Sequence, residues 1–215
     1  MKNKLHCIVL WVILGVLSLV GLVVAVFILP FLPKQYVTTD HAKYGQYTGN
    51  YDNEFPKEFI SSFFPNKLEN YFSDVRYSYR AQKGDTYAFE AYLEFTINDL
   101  QQYEAYISKN IATEEKGSFR YNPNYFDYTI ADEFFPIERS RTDNSQANAA
   151  VSIDYAKIGK ILYCPDEQRI IYVALGVYDG GIARTDFLSV YFERFQIDPI
   201  EYAKYAAPAW DKRGQ

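Results

Sequence analysis

Polar and apolar positions fall into sharply different regimes along the chain. From Cys7 to Leu32 there are 26 residues without a charge, and Ser18 is the single hydroxyl. A helix of that length rises about 39 Å at ~1.5 Å per residue. The hydrocarbon core of a bilayer is about 30 Å thick, so the run predicts one spanning helix with room to tilt. Pro30 and Pro33 end it, because proline lacks the N–H that a helix interior needs. Lys2 and Lys4 precede the run and Lys34 follows it. The positive-inside bias then puts the N-terminus in the cytoplasm and the remainder outside the cell membrane. A cleaved signal peptide would need a shorter apolar core and small residues at an A-x-A-like site. Ala25-Val26-Phe27 fails at its third position, so the reading is an uncleaved signal anchor. This divides the chain into a cytoplasmic tail (1–6), the anchor in the bilayer (7–32), a stalk and entry loop (33–55) and one extracytoplasmic domain (56–215). Gly15, Ser18, Gly21 and Ala25 share one helical face, and Gly21 with Ala25 forms a small-xxx-small pair suited to a weak helix dimer.

Beyond the anchor the period changes to two. Between Thr86 and Ile97 the odd positions carry Tyr87, Phe89, Ala91, Leu93, Phe95 and Ile97, while Glu90, Tyr92 and Glu94 fall on the even ones. Such alternation predicts a strand buried on one face. Asp74 to Ala81 alternates likewise. A three-residue loop at Gln82-Lys83-Gly84 would join the two as a hairpin, setting Tyr77 opposite Phe89 and Arg76 opposite Glu90. Further strands are predicted at Tyr125–Ile130, Lys160–Cys164, Arg169–Tyr178 and Phe187–Phe195. The run from Ile170 to Val177 is apolar throughout, which suits a central strand covered on both faces. Period 3.6 predicts a helix from Asp99 to Ile111, capped by Asn98, with Leu100, Tyr103, Ile107 and Ile111 as its apolar stripe. Shorter helices are expected at Lys57–Phe64 and from Pro199 to about Ala206. The expected fold class is α+β: a mainly antiparallel sheet of five or six strands packed against helices. Its core should include Tyr77, Phe89, Leu93, Phe95, Leu100, Ile107, Ile171, Val173, Leu175, Val190 and Phe192.

Charge and composition narrow the function classes. There are 22 Lys and Arg against 27 Asp and Glu; two of the 22 precede the apolar run, which leaves the outer part seven charges negative. An acidic exterior argues against nucleic acid as a partner. All 21 tyrosines lie in the outer part. Tyrosine offers a flat face and a hydroxyl to sugars or peptides, and it also favours strands. Cys7 and Cys164 are separated by the membrane surface, so the domain has no internal disulfide and stands on its own core.

Chemistry-bearing patterns are sparse. His41 is the one histidine outside the anchor and its tail, which leaves serine–histidine catalysis, cysteine–histidine catalysis and histidine-based zinc sites without raw material. Phosphate-binding glycine loops and the calcium-loop pattern are missing, so no cofactor and no metal is expected. The carboxylate pairs Asp132-Glu133, Glu114-Glu115, Asp52 with Glu54, and Glu90 with Glu94 remain. Glycosidases hold two carboxylates about 5–10 Å apart; Glu90 and Glu94, four residues apart on a strand, would sit about 13 Å apart. The leading expectation is a membrane-anchored domain that binds a protein or glycan at the cell surface. The alternative is a surface hydrolase working through carboxylates on glycan or peptide. Two partner surfaces are expected: the outward strand face bearing Arg76, Glu90, Tyr92 and Glu94, and the glycine-containing loop beginning at Tyr178 and Asp179.

Overall fold

In the computed structural model the described residues are 11, 13–19, 21–22, 34–47, 55–83, 87–111, 117–137, 152–178 and 189–206. Contacts divide the chain into two units, Met1–Lys34 and Gln35–Gln215.

In the first unit every described position between 11 and 22 is helical. No helix among the described residues is long and apolar enough to cross a membrane. Trp11, Ile13, Leu14, Val16, Leu17, Leu19 and Leu22 all stand exposed. Gly15 and Gly21 have open space where a side chain would be. The Ser18 hydroxyl donates back to the Leu14 carbonyl at 2.8 Å, the usual resting place for a lone hydroxyl in an apolar helix. Ala25 and the rest of the 7–32 run lie outside the described residues.

The second unit is built on a seven-stranded sheet, two or one strands more than the periodicity predicts. The strands are β1 (Lys34–Thr38), β2 (Ser73–Lys83), β3 (Tyr87–Thr96), β4 (Gly117–Ser118), β5 (Phe126–Ile137), β6 (Ser152–Cys164) and β7 (Arg169–Tyr178). Their order is β1-β2-β3-β7-β6-β5-β4. Every neighbouring pair from β2 across to β4 runs antiparallel; short turns join β2 to β3 and β6 to β7, whereas β3 and β7 come together from distant parts of the chain. Lys34–Thr38 falls in the segment read as a stalk; it forms an edge strand instead, followed by a 3-10 turn at His41–Lys43 that the Asp40 carboxylate caps through Ala42 N. Four helices complete the unit: α1 (Phe55–Ser61), α2 (Leu100–Asn110), α3 (Ser189–Arg194) and α4 (Pro199–Ala206).

Three corrections follow from the pairing. First, Arg76 lies opposite Glu94 and Arg80 opposite Glu90, four residues away from the predicted register. β2 continues to Lys83 through the expected turn, so the hairpin closes later. A shift of four is even, so every side chain keeps its face while changing its partner. Second, residues 189–194 are helix α3 where a strand was expected. Tyr191, Phe192 and Phe195 fall on one helical stripe and all are buried. Third, both faces of the sheet are covered. One apolar cluster joins Phe89, Leu93, Phe95, Ile170 and Tyr172 to α1 and α2. The other joins Tyr92, Ile158, Leu162, Ile171 and Val173 to α3 and α4. The arrangement is helix on sheet on helix, with β7 central as its unbroken apolar run predicts.

Of the expected core, Leu100 is exposed and Val190 is half-buried; the others are buried. Helix α2 begins one residue later than expected, so Asp99, not Asn98, is its cap and accepts from Gln102 N at 2.7 Å. Leu100 then sits at the first helical position on the water side, and Tyr106 joins Tyr103 and Ile107 on the buried stripe.

Strand β5 carries a bulge with a purpose. Thr129 pairs with Lys160 and Ala131 with Gly159, so Ile130 has no partner of its own. The extra residue switches the parity of the strand. Asp127, Thr129 and Asp132 consequently face the same side although 127 and 132 differ in parity.

Candidate functional site

The expected strand-face surface is not a surface. Glu90, Tyr92 and Glu94 alternate with the core positions of β3 and therefore point at α3, which covers them; both glutamates are 1 % exposed. Only Arg76, with 70 % of its side chain exposed, stands at the rim. Tyr178 ends β7, and Asp179 and the loop 179–186 lie outside the described residues. The face was read as open to water because its charges were read as solvated; each is instead held by a particular buried environment.

Glu94 sits at the centre of an arginine cluster. Its Oε1 accepts from Arg169 Nη1 at 2.6 Å and from Arg194 Nη2 at 3.2 Å, while Oε2 accepts from the Tyr92 hydroxyl at 2.7 Å and lies 4.0 Å from Arg76. Burial alone would raise its pKa. The Tyr92 hydroxyl and the two guanidiniums outweigh burial and hold the carboxyl below its ordinary range. Arg169 also pairs with Glu167 at 3.1 Å. Because Arg194 belongs to α3, Glu94 fastens that helix to the sheet.

Glu90 has the opposite environment. Its Oε1 accepts from Tyr191 N at 3.2 Å, and its Oε2 has no hydrogen-bond partner among the described residues. Burial pushes its pKa from 4.5 up to about 7, against the Tyr191 and Val190 N–H groups and the Arg80 charge, with Glu193 pushing the same way as burial. Two glutamates on one face of one strand are therefore held with opposite charge preferences.

A third polar group lies under α4. Lys160, 2 % exposed, interrupts the apolar run of β6. Its ammonium reaches Asp132 at 2.9 Å, Asp127 at 3.1 Å and the Thr129 hydroxyl at 2.8 Å, which uses all three of its donors. The Tyr202 hydroxyl closes the group by donating to Asp132 at 2.6 Å. The β5 bulge makes this possible. The Glu94 and Lys160 groups pair their charges internally, and no cluster of three or more His, Cys, Asp or Glu arranged for a metal occurs among the described residues.

Open space lies on the opposite face, beside α2. Two adjoining hollows of about 340 and 510 Å³ share Pro65, Asn66, Tyr106, Lys109 and Asn110. The first runs between the 65–72 segment and the Gln102, Ala105 and Lys109 side of α2, with half-exposed Tyr71 at its mouth. The second continues past Phe63 and Phe64 to Tyr128 and Ile130 on β5. Tyr106 and Tyr172 form the floor, their hydroxyls 2.9 Å apart. Burial pushes Tyr106 up to about 12, so it stays a neutral phenol. The lip is fixed: the Tyr44 hydroxyl donates to the Pro65 carbonyl at 2.6 Å, and Phe72 stacks on Phe95 at 3.9 Å.

None of the groove residues was expected from the sequence to form a site, and no local pattern marks them as one; the groove arises where a turn-rich segment meets a helix farther along the chain. Lys160, by contrast, did carry a signal: a lone charge inside Ile158-Gly-Lys-Ile-Leu-Tyr-Cys164 needs a buried partner. No protein-family model, curated protein or solved structure matches this chain.

Proposed function

We propose that this chain is a membrane-tethered binding module: an N-terminal apolar helix holds it in the cell membrane, and the domain from residue 35 onward captures a partner outside. The observation that carries this reading is the exposed apolar helix. Seven large apolar side chains, Trp11 to Leu22, stand on helical backbone without cover, within an uncharged run of 26 residues. In water such a surface is unfavourable by about 25 cal/mol per Å²; in hydrocarbon it is at home. Binding is favoured over hydrolysis by where the carboxylates lie. Glu90 and Glu94 are beneath α3, Asp127 and Asp132 share Lys160, and the groove has Glu69 as its one carboxylate among the lining residues. A glycosidase needs two facing the same cleft.

The test is fractionation followed by protease treatment of intact cells expressing the full chain. The reading expects the chain in the membrane fraction after a carbonate wash, with the domain digested from outside. Release by carbonate, or digestion only after lysis, would refute it.

A further inference from the structure

We propose that the double groove beside α2 is a binding site for an acidic saccharide chain, one bearing carboxylates on its sugar rings. The proposal rests on the binding reading above and supplies its ligand class.

Size and shape come first. Each hollow, about 340 and 510 Å³, is within the usual range for a ligand site of ~300–1,000 Å³. They adjoin through five shared lining residues, so together they offer more room than one compact ligand needs, which suits a chain of several units. Lining chemistry comes next. Asn66, Asn110 and Gln102 present side-chain amides, and the exposed lining is mostly polar. An amide offers both donors and acceptors, which matches the paired demands of a ring hydroxyl. Tyr71 adds an aromatic face at the mouth, a platform for the C–H face of a sugar ring. An extended peptide would take its specificity from apolar side-chain pockets, and here the apolar residues Phe64 and Tyr172 serve as packed core.

Charge selects an acidic sugar. The groove holds Lys67 and Lys109 against Glu69. Lys67 pairs with Glu69 at 3.1 Å; Lys109 has no carboxylate within 4 Å among the described residues. A positive excess here is notable because the part of the chain after the anchor is seven charges negative, a background that disfavours anions. The rigid lip adds to affinity, since little ordering is left to do on binding.

The experiment is titration calorimetry on the full chain in detergent micelles with three probes: a hexuronate tetrasaccharide, the same tetrasaccharide with its carboxyls reduced to alcohols, and tetraglutamate. The expected result is binding of the hexuronate, at least about tenfold weaker binding of the reduced sugar, and none of the peptide. Lys109→Ala should erase the preference for the acidic sugar. Tyr71→Ala should weaken both sugars by a similar factor and leave the preference intact. Both positions are on the surface, and unchanged thermal unfolding confirms that each variant is folded. No binding of either sugar, equal binding of the acidic and reduced sugars by the unmodified chain, or stronger binding of tetraglutamate would overturn the proposal. None of these outcomes touches the membrane reading, which carbonate washing and protease treatment decide separately.

Discussion

Replacing Glu90 by glutamine should stabilise the protein, and only at high pH. The folded protein keeps the Glu90 proton up to about pH 7, whereas an ordinary glutamate loses it near 4.5. Between those values the folded state binds more protons than the unfolded chain. Stability therefore falls as pH rises through the window and is level above it. At about 1.4 kcal/mol per pH unit, the interval from 4.5 to about 7 amounts to about 3.5 kcal/mol, of which the greater part is lost between pH 5 and pH 8. Glutamine cannot ionise, keeps an oxygen to accept from Tyr191 N, and has nearly the same volume. The Glu90→Gln variant should match the parent at pH 5 and exceed it by about 2–3 kcal/mol at pH 8. For a domain of this size that is about 4–12 °C in unfolding temperature. Urea unfolding of the full chain in detergent, followed by far-ultraviolet circular dichroism at pH 5, 6.5 and 8, measures it. A variant less stable than the parent at pH 8 would refute the reasoning. It would mean that Arg80 holds Glu90 as a working carboxylate and that α3 is fastened by its charge.

Glu94, on the same face, should respond in the opposite sense. Its lowered pKa contributes stability above the ordinary glutamate range and loses it as pH falls through the folded value, so Glu94→Gln should cost about 2–4 kcal/mol at pH 7 and flatten the acid limb of the unfolding profile. Lys160→Met should cost about 2–4 kcal/mol by leaving the half-buried Asp127 and Asp132 without their cation, and adding Asp127→Asn with Asp132→Asn should recover most of it in urea titrations. A Cβ on Gly159 would come within 2.9 Å of Phe59 and 3.3 Å of Ile130, so Gly159→Ala should lower stability by about 1–3 kcal/mol, with Gly159→Val worse by calorimetry.

How much of this was legible differs from strand to strand. The odd positions of β3 gave its buried face correctly, since Phe89, Leu93 and Phe95 are all fully buried. The unbroken apolar run of β7 correctly indicated cover on both faces. That second observation already bore on β3, its neighbour: a sheet covered over β7 on both sides is covered over part of β3 too. What hid the consequence was Glu90 and Glu94. A charge at an alternating position reads as water-facing unless its partners are known, and those of Glu94 lie 75 and 100 residues along the chain. Helix α3 was misread for a different reason. Ser189–Arg194 has six residues, too few for period 2 and period 3.6 to be told apart. The groove left no trace in any periodicity, because it is made by the relative placement of two segments rather than by a pattern within one.

The unpaired Ile130 has a consequence for how the gene can vary in length. Loss of that one codon would leave β5 able to pair with β6 without interruption, and by hydrogen-bond count the sheet would improve. Yet Asp132 would turn to the face occupied by Phe59 and Phe63, and Lys160 would lose one carboxylate and the tie from Tyr202. A deletion that regularises the backbone would thus bury a bare charge in an aromatic layer. Substitutions at position 130, which is over a third exposed, should be accepted freely by comparison. The constraint falls on the presence of a residue there rather than on its identity.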